Sequence, residues 1–274
     1  MTDEIRVQSL GSGSSGNVLL VETGGGLAIV DCGLGPRRLP GALAAVGRTI
    51  DDVQAVLLTH EHGDHAGGLP AFRQREIPIV CTAGTARAVG VPAAVQVAIA
   101  AGETRTVGPL TIRSFVVSHD AAEPCGFQIE VVGGVRITLL TDLGAPDDLL
   151  RAAIAGADLV VLEANHDVDL LRAGPYPAHL KRRVLSTTGH LSNADCADLL
   201  LASLNGAERQ PVVWLAHLSE TNNRPELALA TVRQRFARAG LAAAIDVLPR
   251  RRPGPVWTPR QPPRPAIQMT IPGL

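Results

Sequence analysis

Short apolar runs alternate along the chain with glycine-rich turns and with stretches of helical spacing. Residues 5–10 alternate apolar and polar and predict a strand; residues 18–21 and 27–30 predict two more, separated by Thr23-Gly24-Gly25-Gly26. Residues 37–47 place Leu39, Leu43 and Val46 at helical spacing and end at Gly47. Val53, Ala55, Val56, Leu57 and Leu58 then form a nearly continuous apolar run, as in a strand buried on both faces. Beyond it, the pattern predicts a strand over 77–81, a helix over 84–89 and a hairpin over 104–112 around Gly108-Pro109. A strand over 113–118 and a hairpin of 126–132 with 135–140 follow, then a helix over 146–155 and a buried strand over 159–162. Residues 192–204 make a helix opened by a Ser192/Asp195 capping box and closed by Asn205-Gly206. A strand over 212–215 and a helix over 225–239, with Pro225 near its start and Gly240 past its end, complete the pattern.

What stands at the strand ends is chemically selective. Six strands end in Asp31, His60, His119, Asp142, Asn165–His166 and His217. In sheets covered by helices, sites form beyond the strand ends. The densest segment follows the run at 53–58: His60, Glu61, His62, Asp64 and His65 lie within six residues, with Gly63 turning the chain among them. Imidazole and carboxylate are ligands that zinc, manganese and iron share. Of eight histidines, only His179 stands apart from a strand end or from Gly189-His190, just before the capped helix. The segment over 60–65 reads as a metal site, and the joint pattern predicts one polar site at one edge of a sheet sandwich.

Composition narrows the setting. The chain has 274 residues, 46% of them hydrophobic, enough for a large core, and no apolar run long enough to span a membrane. The charged start flows into a strand pattern without a signal-peptide core. Cys32, Cys81, Cys125 and Cys196 are far apart and read as reduced, buried thiols of a cytoplasmic protein. Residues 249–274 hold five arginines, eight prolines and no acid, and read as an irregular or disordered tail after a body of residues 1–248. That leaves the body twenty basic against twenty-six acidic side chains. A broad nucleic-acid surface is not expected from an acidic body, although bound divalent ions would offset charge where a phosphate must sit.

Gly11, Gly13 and Gly16 match G-x-G-x-x-G, but a dinucleotide fingerprint requires a helix next, and residues 18–21 are a β-rich run. The segment therefore reads as a hairpin loop. Ser14 and Asn17 in it are candidates for contact with an anion, against the alternative of a plain turn. Lys181, Arg182 and Arg183 form the dense basic cluster of the body, either a grip on a nucleic-acid backbone or a solvated helix face.

The order of SLGSGSSGN (residues 9–17), THEHGDHAGGL (59–69), SHDAAEPCGF (118–127), TDLG (141–144), LEANHD (162–167), YPAHLKRR (176–183), GHLSN (189–193) and AHLSETNN (216–223) resembles the YycJ/WalJ family of bacterial metallo-β-lactamase-fold hydrolases. Ribonuclease Z and the phosphodiesterase PhnP are similar more distantly. The resemblance implies an α/β fold, a four-layer αβ/βα sandwich of two mixed sheets with helices outside. It also implies two divalent metals (zinc or manganese, with iron as a further candidate) and phosphodiester hydrolysis by a metal-bridging hydroxide. His60, His62 and His119 would hold one metal, and Asp64, His65 and His217 the other, with Asp142 bridging. Asp31 would orient the His-rich loop from behind. Asp64 and His190 are the catalytic candidates; His190 would contact phosphate or protonate the leaving oxygen, with Asn165 and His166 as rivals.

The expected activity is that of a DNA exonuclease, with DNA preferred over RNA and no membrane partner. A small phosphodiester, thioester or lactone hydrolase with the same site is the alternative, and a non-catalytic member of the fold is a further one. The intact ligand set argues against the last.

Overall fold

A computed structural model describes residues 5–259 apart from residues 73, 132 and 208. The strands, in chain order, are β1 Arg6–Gly11, β2 Val18–Thr23, β3 Gly26–Val30, β4 Val53–Leu57, β5 Ile79–Cys81, β6 Gln96–Ala98 and β7 Thr104–Val107. Then come β8 Leu110–Val116, β9 Cys125–Val131, β10 Val135–Leu140, β11 Leu159–Glu163, β12 Val212–Ala216, β13 Ile245–Val247 and β14 Val256–Trp257. They form two seven-stranded sheets, ordered β14-β1-β2-β3-β4-β5-β6 and β13-β12-β11-β10-β9-β8-β7. The helices are α1 Gly35–Ala44, α2 Gly63–Ala66, α3 Ala83–Val89, α4 Asp148–Ala155, α5 Val168–Ala173, α6 Ala178–Val184, α7 Asn193–Leu204 and α8 Pro225–Arg238.

Side-chain alternation explains the four layers. In β3, Ala28 and Val30 face the second sheet, while Leu27 and Ile29 pack outward with Leu39 and Leu43 of α1. In β11, Leu159 and Val161 enter the inter-sheet core, and Val160 and Leu162 pack outward with α4, α7 and α8. Strands buried on both faces must be apolar throughout, which is why the sequence shows runs here rather than alternation. The sheets are mixed, as expected: β3–β4–β5–β6 and β10–β11–β12–β13 pair in parallel, the rest antiparallel.

This topology carries the candidate residues to one edge. β10, β11 and β12 run parallel, and β8 runs the same way because β9 is antiparallel to both β8 and β10. Their C-terminal ends therefore coincide, and so do those of the parallel pair β3 and β4 in the facing sheet.

Three expectations change. Residues 110–116 form one strand, so the expected break between 112 and 113 is absent; Arg113 pairs with Gln128 in an unbroken ladder. The short edge strands β6 and β13 and the short helices α5 and α6 did not stand out in the sequence. Part of the expected tail is built into the fold: Val7 pairs with Trp257 and Gln8 with Val256, and Trp257 is buried in the inter-sheet core. One large aromatic outweighs the prolines around it. Residues 260–274 of the expected tail lie outside the described residues. No helix among the described residues is long and apolar enough to cross a membrane.

Candidate metal centre

Three of the strand-end residues share an unusual backbone. Asp31, Asp142 and His217 have φ of 58°, 56° and 54°, the left-handed region that non-glycine residues seldom enter. Each lies within two residues of the end of its strand, β3, β10 or β12. Holding such residues costs on the order of 1 kcal/mol each, and functional sites are where that strain is found.

The His-rich loop is fixed from below. Asp31 Oδ1 accepts from the Thr59 backbone N–H at 2.9 Å, and its Oδ2 lies 2.7 Å from His65 Nδ1. Thr59 Oγ1 bonds to Asp31 and sits 3.1 Å from His60 Nδ1. Both rings are thus held through Nδ1, leaving Nε2 of each to face the site. Close approach is needed as well: a Cβ on Gly33 would lie 1.6 Å from Asp64 O, so only glycine lets the Asp64 turn pack here.

Four overlapping clusters of ligand-type atoms result among the described residues, one of them Asp142, Glu163, His190 and His217. His60, His62 and His119 offer nitrogens within 4.8 Å of one another, and so do the ligand atoms of Asp64, His65 and His217. His60 Nε2 is 3.1 Å and His119 Nε2 is 3.3 Å from His62 Nδ1. His217 Nε2 is 3.4 Å from Asp64 Oδ2. Asp142 joins the two groups, clustering with His60 and His65. Its Oδ2 is buried without a well-aligned hydrogen bond, 2.9 Å from His65 Nε2. With the His65 Nδ1 proton directed at Asp31, two acceptors face each other there, and a proton or a cation must lie between them. The donor set of imidazoles and carboxylates fits divalent metal ions.

Electrostatics of the ligand side chains follow from burial. Burial disfavours the His65 imidazolium, yet Asp142 and Asp31 outweigh it and raise the group to about 10. His217 is likewise raised well above the ordinary range, burial being overcome by Asp142, Asp64 and Glu163. His60 moves the other way, down to about 2, through burial and its cationic neighbours. Burial works against the Asp142 carboxylate, but His217 and His65 hold it well below the usual range.

Glu163, at the end of β11, was not singled out by the sequence. It is fully buried; its Oε1 lies 2.8 Å from His190 Nδ1 and 3.0 Å from His217 Nδ1, and its Oε2 accepts from the Leu143 and Leu191 N–H groups. Despite burial, His190 and His217 hold Glu163 down to about 2, and Glu163 in turn raises His190. The His190 ring stands 5.2 Å from that of His119 and 5.5 Å from that of His217, astride both ligand groups. Gly189 permits this: a Cβ there would meet Arg183 O and Val184 O at 2.3 Å.

The remaining candidates divide. Asn165 is spent on structure, its Nδ2 donating to His217 O at 2.9 Å. His166 is buried, both ring nitrogens lack a partner, and its backbone bridges Ser192. Asn165 is thus tied to the His217 segment, while Glu163 is the residue of this stretch that lies against both His190 and His217. Asn17 is also inward-facing, its Nδ2 bonded to Asp64 O at 3.1 Å and close to His65 Nε2, whereas Ser14 is exposed at the loop tip. The basic run is partly committed: Lys181 Nζ donates to Arg172 O, Arg183 pairs with Asp120, and Arg182 is exposed.

Comparison with known proteins shows the family of the chain. A family model for the beta-lactamase superfamily domain matches residues 28–211. The exodeoxyribonuclease WalJ of Streptococcus pneumoniae serotype 2 is 36% identical over 245 residues, covering 86% of this chain and 90% of that protein. The exodeoxyribonuclease YycJ of Bacillus anthracis is 38% identical over 231 residues, covering 82% and 86%. Among solved structures, the metallo-beta-lactamase fold protein YhfI of Bacillus subtilis matches with a TM-score of 0.67 at 18% identity, over 94% of this chain and all of that one. The chain belongs to the beta-lactamase superfamily, and within it to the family of the WalJ and YycJ proteins.

Proposed function

We propose that this protein is a phosphodiester hydrolase that uses two divalent metal ions, zinc or manganese, to remove nucleotides from an end of DNA. The observation that carries the reading is Asp142, which clusters with His60 of one candidate group and with His65 and His217 of the other, with the His190 ring near both. His60, His62 and His119 would hold one ion, Asp64, His65 and His217 the other, and Asp142 both. Bound there, the pair would activate water and neutralise phosphate oxygens.

The chain supplies the rest. Glu163 would accept the Nδ1 proton of His190 and leave Nε2 free, in a side chain that is 14% exposed. A protonated His190 would give its Nε2 proton to the leaving oxygen. Asp31, through His65 and Thr59, keeps the ligand loop in register. The two relatives named for exodeoxyribonuclease activity favour DNA as the polymer. Four free, buried thiols, all raised by burial, suit a cytoplasmic setting.

The test is digestion of end-labelled single- and double-stranded DNA and RNA with manganese, magnesium or zinc. Stepwise shortening of DNA from one end supports the reading. Cleavage of small diesters with every polymer left intact overturns it in favour of a small phosphodiester substrate.

A further inference from the structure

Arg183, on α6, reaches back to the loop that carries His119. Its Nε donates to Asp120 Oδ2 at 2.5 Å and its Nη2 to Asp120 Oδ1 at 2.9 Å, a two-pronged pairing. Asp120 Oδ1 in turn lies 3.4 Å from His119 Nε2, the nitrogen that faces His62. The carboxylate therefore sits on the rim of the His60, His62 and His119 group, with the guanidinium just outside it. Asp142 and Asp64 also act on Arg183, which places the cation in the field of the metal centre.

A planar guanidinium accepts carboxylate and phosphate in the same fork. The side chains of Arg183 and Asp120 are 47% and 36% exposed, and an ion pair so exposed contributes little to stability. A phosphate arriving at the rim meets a suitable fork, held by a partner that is easily displaced. Asp120 is an anion where the backbone of a bound strand would pass, so it opposes binding by occupying Arg183 and by repulsion.

We propose that Arg183 grips a phosphate of the substrate strand next to the scissile one, and that Asp120 is a built-in stand-in which that phosphate displaces. This rests on the phosphodiesterase reading above. It separates Arg183 from Lys181, whose ammonium is turned to Arg172 O and away from this rim.

The two partners then act on binding with opposite signs. The test uses metal-loaded protein and a fluorescent single-stranded DNA whose phosphorothioate linkages resist hydrolysis, read by anisotropy over a salt series beside metal content. Arg183→Ala should weaken binding about five- to tenfold and lower the log–log salt slope by about 0.7, one phosphate contact on a single strand. Asp120→Asn should tighten binding by about two- to tenfold with metal content unchanged. In the double variant the gain from Asp120→Asn should shrink.

Weakening by both substitutions, with parallel losses of melting temperature, would make the pair a structural tie and overturn the proposal. Loss of metal in Asp120→Asn would do so too, by making Asp120 a ligand. If the wild-type protein digests DNA while both variants bind like it, this proposal alone fails. If the wild-type protein neither binds nor digests DNA with any metal, the phosphodiesterase reading fails with it.

Discussion

Glu163 Oε1 lies 2.8 Å from His190 Nδ1, and this buried carboxylate raises the imidazole above its ordinary range. The residue proposed as the acid thus keeps its proton at a pH where a free imidazole loses half of it. The active form is the protonated one, so activity is present below the raised value and falls as pH rises through it. Glu163→Gln removes the charge that raises His190. The alkaline limb of the kcat profile should move to lower pH, and an unchanged limb would take His190 out of the acid's role.

His190→Ala should keep the fold and the metals and slow turnover by about 10²–10⁴-fold, the range for general acid catalysis. A nitrophenolate leaving group needs no proton and should lose much less than an alcohol. Equal losses with both would assign His190 to phosphate contact instead.

Protons stand where the proposed metals would bind. In the metal-free protein His65 is raised to about 10 and His217 well above its ordinary value, so both are charged near neutral pH. Metal loading must expel these protons, and apparent affinity should rise with pH. Titration calorimetry near pH 7 in buffers of different ionisation enthalpy should give buffer-dependent heats; identical heats would contradict the charged state. The same shift bears on stability. A folded-state value raised to about 10 stabilises fully below about 6.5, the ordinary value, and the gain is lost as pH rises through about 10. On this term, the metal-free protein should melt at lower temperature as the solution is made alkaline, and added metal should flatten the trend.

Trp257 seals the inter-sheet core from the β14 edge, and Arg250 donates to Leu218 O and Ser219 O beside His217. Removing residues 249–274 should therefore lower the melting temperature sharply, whereas removing 260–274 should cost less. Trp257→Ala alone should cost about 3–5 kcal/mol, the usual range for a buried aromatic. Denaturant unfolding measures it, and a loss under 1 kcal/mol would show that β14 is dispensable.

The sequence carried the strand ends and the residues now found in both ligand groups because these are local signals: an apolar run, then a ligand type. Asp31, His60, His65, Asp142 and His217 could be picked out this way. Glu163 could not, since its partners His190 and His217 lie 27 and 54 residues further along and its own segment offered three other polar side chains. The pairing of Arg183 with Asp120 spans 63 residues and left no trace in a basic run that read like any solvated helix face. β14 was hidden by composition, because two residues of strand carry little weight among eight prolines.

The proposed two-metal centre is tested most directly by elemental analysis of the purified protein, paired with activity on the same sample. The arrangement around Asp142 predicts two metal ions per chain in the fully active wild-type protein. It also predicts fewer in Asp142→Asn, with hydrolysis nearly abolished, because the shared ligand is weakened for both groups at once. Full activity with one ion per chain or none would contradict it.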